Sequence, residues 1–178
     1  MPELKNTKQI LAQALKILMA HQPFSKISVG DICTQCGMSR KSFYYHFQDK
    51  YDLMNWIFFT EFIGTIHFPN QPDGWRLLQD ICNYFYQEQV FYRNALSVDG
   101  QNSFQEYFLE TIEPFIFALV TDLFTESDEV QFYVTFYTDA LLSALIRWLN
   151  EGAQIPPDRF AELLKNALNI LVTPSPQL

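Results

Sequence analysis

Cysteine is scarce in this chain: Cys33, Cys36 and Cys82 are the only three in 178 residues. An odd set of three makes no disulfide framework and fits a reducing compartment, the cytoplasm. Cys33 and Cys36 do form a C-x-x-C pair, but a metal centre needs two further ligands at suitable spacing. His46, the nearest, stands ten residues on with no second Cys or His beside it. The pair therefore reads as two small buried residues on one helix face. Charge is also short, 18% of residues against about 25% in an average soluble domain. Apolar runs such as 115–120 hold only a few residues, far below the ~20 that cross a bilayer, so neither a membrane helix nor a signal peptide is expected. No Walker loop, no G-x-S-x-G, no H-E-x-x-H and no evident carboxylate pair is present. An enzyme is not expected, nor a metal or a cofactor.

What is present is apolar and aromatic: 48% hydrophobic and 16% aromatic residues. A chain of this length makes roughly one or two domains and buries a sizeable core. The net charge of −8 taken alone argues against a polyanionic partner, yet it is unevenly spread. Residues 1–55 hold seven basic and four acidic side chains, whereas the remainder holds five basic and sixteen acidic ones. That asymmetry points to two domains, of which only the first can face a polyanion.

Few glycines, prolines between periodic segments and no alternating β-branched runs give an all-α fold. The spacing of Ile10, Leu11, Ala14, Leu15 and Leu18 predicts a first helix over 6–20, stopped before Pro23. Ser28-x-x-Asp31 is a capping box opening a helix through Cys36; Gly37-Met38-Ser39 is a tight turn, and Ser39 caps a two-turn helix over 40–47. Asp49 caps a fourth helix over 50–67, apolar on more than one face. Pro69 to Gly74 reads as a boundary loop. Beyond it, helices are expected over 74–96, 102–125, 128–151 and 157–171, with Pro114 kinking or dividing the second of these and Pro157 near a first turn. Ser103-x-x-Glu106 is a second capping box, and 173–178 a frayed tail. The expected domains are 1–50, a linking helix and loop over 51–72, and a helical domain over 73–178.

Helix, glycine turn and helix between Ser28 and Lys50 form a helix-turn-helix signature. Phe43 and Phe47, four apart, anchor the second helix and leave Arg40, Lys41, Tyr44, Tyr45 and His46 over its exposed surface. Such a helix fits the major groove of DNA, with basic residues at its start to reach base edges or phosphates and hydroxyls to donate to phosphate.

Read as Ser28-Val29-Gly30-Asp31-Ile32-Cys33-Thr34-Gln35-Cys36-Gly37-Met38-Ser39, then Arg40-Lys41-Ser42-Phe43-Tyr44-Tyr45-His46-Phe47-Gln48-Asp49-Lys50, this stretch resembles the N-terminal domain of the TetR family of bacterial transcription regulators. Cys33 and Cys36 fall on the family's two small alanines. The chain departs from the family where the usual glycine after the first helix is replaced by Gln22 and Pro23. The resemblance implies DNA contacts by Ser28, Ser39, Arg40, Lys41, Tyr44, Tyr45, His46 and Lys50. Arg40 and Lys41 are expected to read bases, and Tyr44, His46 and Lys50 to clamp phosphates. The later segment, with Phe91-Tyr92-Arg93, Phe136-Tyr137 and Arg147 to Gly152, looks like the branch typified by activators of dihydroxyacetone-kinase operons. The family generally binds a small effector in its second domain. Trp75, Phe85, Tyr86, Phe108, Phe115, Tyr133, Tyr137 and Trp148 are candidate cavity residues there, against the alternative that they are plain core. Arg147 either binds an anionic effector or pairs with Asp139 or with an acid of a partner chain.

Apolar residues over 130–149 and a stripe of Phe160, Leu163, Leu164, Ala167, Leu168 and Leu171 exceed the needs of one core. They predict a homodimer through the last two helices that presents two reading helices to an inverted-repeat operator. An effector or partner protein would shift the fourth helix and so the spacing of the readers. The alternative is a transcriptional coregulator whose acidic domain docks a partner protein while its first domain binds little DNA.

Overall fold

A computed structural model describes residues 2–65, 74–98, 100, 103–123 and 127–172. The expected boundary loop, apart from Gly74, and the expected tail over 173–178 lie outside these residues. In chain order the elements are α1 (Pro2–Met19), a 3-10 turn (Phe24–Lys26), α2 (Val29–Cys36), α3 (Arg40–His46), α4 (Lys50–Glu61), a second 3-10 turn (Ile63–Thr65), α5 (Gly74–Gln87), α6 (Gln89–Ala95), α7 (Phe104–Leu123), α8 (Ser127–Asn150) and α9 (Pro157–Val172). No strand occurs among the described residues, so the fold is all-α.

Three expected helices differ from the observed ones. The fourth ends at Glu61: the Thr65 N–H donates to the Phe62 carbonyl, 3.0 Å, and the Thr65 hydroxyl donates to it as well, 2.8 Å. This tightens the chain into a 3-10 turn instead of continuing α. The helix over 74–96 is two helices, parted at Glu88. Neither glycine nor proline marks that break; it falls where the chain passes from one compact unit to another. Pro114 does not divide α7, which runs unbroken through it. Pro114 and Glu110, whose carbonyl the proline ring deprives of its helical donor, are both exposed, so that carbonyl stays open to solvent and the helix continues.

The chain forms two compact units, residues 1–67 with 90–107, and 68–89 with 108–178. In the first, Leu11 and Leu15 of α1, Ile32 of α2, Phe43 of α3 and Leu53, Met54, Ile57 and Phe58 of α4 are buried. The Phe58 ring lies 5.3 Å from that of Phe104, edge to face, and 5.2 Å from that of Phe62. In the second unit, α5 packs on α8 and α9 through the stripe Leu77, Leu78, Ile81, Cys82 and Phe85. Trp148 stacks on Phe160 at 4.4 Å and its indole N–H donates to the Ile155 carbonyl, 2.9 Å. The turn between α8 and α9 closes when the Ala153 N–H bonds back to the Trp148 carbonyl, 2.8 Å, with Gly152 at φ +78°, a left-handed conformation that glycine takes without a steric cost.

The thiols occupy distinct environments. Burial pushes the Cys82 thiol up to about 12 and raises that of Cys33, whereas Cys36 is half-buried. Only the thiolate reacts, and a shift of this size cuts the thiolate at pH 8 by roughly a thousandfold. Alkylation of the native protein followed by peptide mass analysis should therefore label Cys36 first and leave Cys82 unmodified until the chain unfolds. Equal labelling rates would contradict the packing.

Candidate nucleic-acid interface

The reading unit is assembled by local bonds that the sequence specifies. Ser28 Oγ accepts from the Asp31 N–H, 3.2 Å, while the Asp31 carboxylate accepts from the Ser28 N–H, 2.8 Å, and hydroxyl, 2.6 Å. These bonds, the hydroxyl first and then the N–H, hold the Asp31 carboxyl below its ordinary range; burial opposes them to a lesser degree, and the Arg40 charge adds the smallest contribution. The box starts α2 and satisfies its first amides. At the other end Gly37 sits at φ +69°, which lets the Met38 N–H reach the Cys33 carbonyl, 2.9 Å. Ser39 then caps α3, its Oγ accepting from the Ser42 N–H, 3.1 Å. The Cys36 thiol turns into α2 and donates to the Ile32 carbonyl, 3.2 Å. No group of three or more His, Cys, Asp or Glu side chains with metal-site geometry occurs among the described residues.

Helix α3 is seven residues long and has one inward edge. Phe43 and Phe47 are buried there with ring centroids 5.8 Å apart. Phe47 also meets Trp56 at 5.7 Å, and Lys8 lies 4.9 Å over its ring. Ser28, Ser39, Arg40 and Lys41 are exposed, as are Tyr44 and Tyr45, at 58% and 75% of their surface. His46 is half-buried, its ring edge-on to Tyr45 at 5.0 Å. The Arg40 guanidinium lies against Gly30: a methyl group there would stand 2.5 Å from it. The missing side chain of α2 thus makes the seat for the first cation of α3.

Two residues that the sequence did not single out for this role fix the departure from the family at Gln22 and Pro23. The Asn94 amide donates to the Met19 carbonyl, 3.0 Å, and the Gln22 carbonyl, 2.8 Å, and its Oδ1 accepts from the Phe24 N–H, 2.7 Å. Lys50, half-buried, donates to the carbonyls of Phe24, 2.8 Å, and Ile27, 2.7 Å, and sits 4.6 Å over the Phe24 ring. Burial depresses its ammonium, with Asp49 opposing. A clamp for phosphate was expected at Lys50; its charge is engaged with the backbone that leads into α2.

In the second unit the aromatic candidates separate. Phe115 and Tyr137 line a cavity of about 210 Å³ together with Leu77, Leu78, Ile81, Ile112, Ile116, Phe136 and Leu141. Burial, and Tyr133 beside it, raise the Tyr137 phenol, so it stays neutral. Phe85 and Phe108 pack on each other at 5.5 Å as core, and the exposed Tyr86 stacks at 6.1 Å on Trp148, which is buried. Trp75 lies beneath the Lys165 ammonium, 5.0 Å away, and Arg147 is exposed.

Residues 10–56 match the model of bacterial regulatory proteins of the tetR family, and residues 75–170, more than half of the chain, match that of a transcriptional regulator C-terminal region. The chain belongs to the TetR family. This TetR-family chain is 31% identical over 123 residues to the dhaKLM operon transcriptional activator DhaS of Lactococcus lactis, a match covering 68% of the chain and 65% of that relative. It is 24% identical to an HTH-type transcriptional regulator of Staphylococcus aureus, over 80% of each. Among solved structures, a dihydroxyacetone kinase operon activator DhaS superposes with a TM-score of 0.68 at 24% identity, covering 93% of this chain and 96% of that one. That likeness supports the fold. Both family models describe regulators, not enzymes, and no described helix is long and apolar enough to cross a membrane.

Two substitutions test the unit's construction. Asn94→Ala strands three backbone groups and should lower stability by about 2–3 kcal/mol, read as a fall in urea midpoint; an unchanged midpoint would show the stitch to be dispensable. Gly30→Ala should leave that midpoint level or raise it, since alanine favours helix by ~0.5–1 kcal/mol, while displacing the Arg40 guanidinium and weakening binding to duplex DNA several-fold. Unaltered duplex affinity would show that the seat does not matter.

Proposed function

We propose that this chain is a transcriptional regulator that binds an inverted-repeat operator as a homodimer through α3, under the control of a small effector in the second unit. The observation that carries the reading is the one-sided character of α3: Phe43 and Phe47 inward, Arg40, Lys41, Tyr44 and Tyr45 outward, on a scaffold capped at both joints. A two-turn helix of this kind enters the major groove with its first residues at base edges. Arg40 and Lys41 read bases; Ser28, Ser39, Tyr44, Tyr45 and His46 bind the sugar–phosphate backbone. Lys50 acts one step back, as a positioning residue that holds the carbonyls ahead of α2.

The positive balance of the first 55 residues supports phosphate binding, and the acidic remainder keeps the rest of the chain off DNA. One α3 makes few phosphate contacts, so two copies on half-sites about 34–36 Å apart, or a multiple of that, supply the affinity. The effector cavity is lined mainly by apolar side chains and holds about 210 Å³. That exceeds the ~150 Å³ that takes up benzene and falls short of a drug-sized site of ~300 Å³ and above. A compact, uncharged, mostly apolar molecule fits it, with the neutral Tyr137 as its polar neighbour. Such a ligand switches the operator only if it favours one spacing of the two readers over the other.

Selection of bound duplexes from a random pool, followed by titration in rising salt, tests this reading. The expected outcome is a palindromic consensus and a log–log salt slope near −0.9 per phosphate contacted. Arg40→Ala with Lys41→Ala should then relax base preference at the half-site, by about 1–3 kcal/mol per lost contact. Absence of duplex binding at low salt would overturn the reading in favour of a coregulator that works through a partner protein.

A further inference from the structure

The C-x-x-C pair of α2 has no part in the DNA reading proposed above. Cys33 is buried and Cys36 half-buried, three places apart in a helix that ends at Cys36. The pitch of an α-helix brings their Cα atoms to about 5 Å, inside the range that a disulfide spans. The Cys36 thiol turns back along the helix, its sulfur 3.2 Å from the Ile32 carbonyl oxygen and 3.6 Å from that of Cys33. Burial raises the Cys33 thiol and the charge of Cys36 raises it further, with Arg40 opposing, so the two sulfurs feel each other. What separates them from a bond is the position of the Cβ atoms. Residues three apart on a helix hold these about 5–6 Å apart, whereas a disulfide draws them to about 3.5–4.5 Å. The last turn of α2 must therefore distort for the bond to close.

That turn carries α3. The Cys33 carbonyl accepts from the Met38 N–H, 2.9 Å, across the left-handed Gly37, and Ser39 follows at once as the cap of α3. We propose that Cys33 and Cys36 are a peroxide-sensitive thiol pair whose disulfide distorts the end of α2 and so displaces the reading helix. The oxidant is a small hydroperoxide such as hydrogen peroxide, which reaches a half-buried sulfur more easily than a bulky disulfide does. The Cys36 thiolate attacks one peroxide oxygen, the O–O bond breaks, hydroxide leaves to take up the thiol proton, and Cys36 becomes a sulfenic acid. The Cys33 sulfur then attacks the Cys36 sulfur; the S–S bond forms and the hydroxyl departs as water with the Cys33 proton. Two thiols and one hydrogen peroxide thus give one disulfide and two waters, two electrons passing from sulfur to the peroxide. Burial makes Cys33 a poor first nucleophile, but a neighbour on the same turn acts at high effective concentration and resolves a sulfenic acid with little thiolate. A bond closed against the helix is strained and easily reduced, which makes the change reversible. The disulfide stands on α2 alone; its effect on DNA rests on the operator reading above.

Peptide mass analysis of the full chain after hydrogen peroxide tests the pair without DNA. The tryptic peptide over 27–40 holds both cysteines; it should lose two hydrogen atoms on oxidation and regain them with dithiothreitol. Met38 lies in the same peptide and is told apart because its sulfoxide adds an oxygen that dithiothreitol does not remove. Cys33→Ala should leave Cys36 as a sulfenic acid that dimedone traps. Cys36→Ala, with folding checked by circular dichroism, should bind a selected duplex as before and lose the response to peroxide. In the unaltered chain oxidation should weaken duplex binding by at least about tenfold, as loss of one good base contact does, and dithiothreitol should restore it. A peptide that keeps its hydrogens, or a Cys36 that proceeds to sulfinic acid with Cys33 still present, would overturn the pair. A disulfide formed with duplex affinity undiminished would overturn its effect on the reading helix. If the reduced chain binds no duplex, the operator reading falls instead, and hydrogen exchange over 37–46 decides the distortion: faster exchange in the disulfide form supports it, and unchanged exchange overturns it.

Discussion

A helix of seven residues cannot hold itself together in water: nucleation costs more than two turns of hydrogen bonds return, and isolated helices below about 12–15 residues are marginal. Helix α3 exists because Phe43 and Phe47 are fastened into a core built by α1, α2 and α4. Everything proposed for the exposed side of α3 depends on that attachment. Arg40, Lys41, Tyr44 and Tyr45 gain a fixed geometry only because Phe43 and Phe47, one to three positions away, are buried. A reader built on an independently mobile segment would have to order itself on each encounter and would lose affinity accordingly.

The second constraint lies in the backbone between α1 and α2. Residues 19–27 present several carbonyls with no helical partner, a consequence of the way α1 ends ahead of Pro23. Asn94 and Lys50 satisfy four of them, those of Met19, Gln22, Phe24 and Ile27, one with a neutral amide and the other with a cation. The lysine tolerates partial burial because its donors end on carbonyl oxygens and an aromatic face, groups that replace much of the water it has lost. Joining the start of α4 to the approach to α2 in this way ties the orientation of the reading unit to the core.

Features governed by neighbours in sequence were legible before the structure. The Ser28 and Asp31 box, the Gly37 turn, the Ser39 and Asp49 caps and the Phe43 and Phe47 edge are each set by residues within a few positions of one another, where spacing and side-chain chemistry decide the outcome. What distance in the chain hides was not legible. Asn94 reaches Phe24 across seventy residues, Lys50 has the sequence context of a solvated lysine, and the break at Glu88 has no local signal. Pro114 signalled a kink or a division, and an exposed helix face lets α7 run through it undivided. In the second unit, composition marked the aromatics as candidates without sorting them; Phe115 and Tyr137 at the cavity differ from Phe85, Phe108 and Trp148 in the core only in what surrounds them.

Charge and packing thus divide the labour along one chain. The first unit concentrates the cations and spends its aromatic burial on orienting a short helix; the second carries the acidic surplus and a small apolar cavity. Hydrogen–deuterium exchange in the presence and absence of a selected duplex tests the central claim most directly, namely that a buried edge of α3 rigidly presents its opposite edge to DNA. The account predicts that the Phe43 and Phe47 amides are already protected without DNA. It also predicts that added protection on binding falls on residues 28–46. Rapid exchange throughout α3 in the absence of DNA, or duplex-induced protection confined to residues outside that stretch, would contradict it.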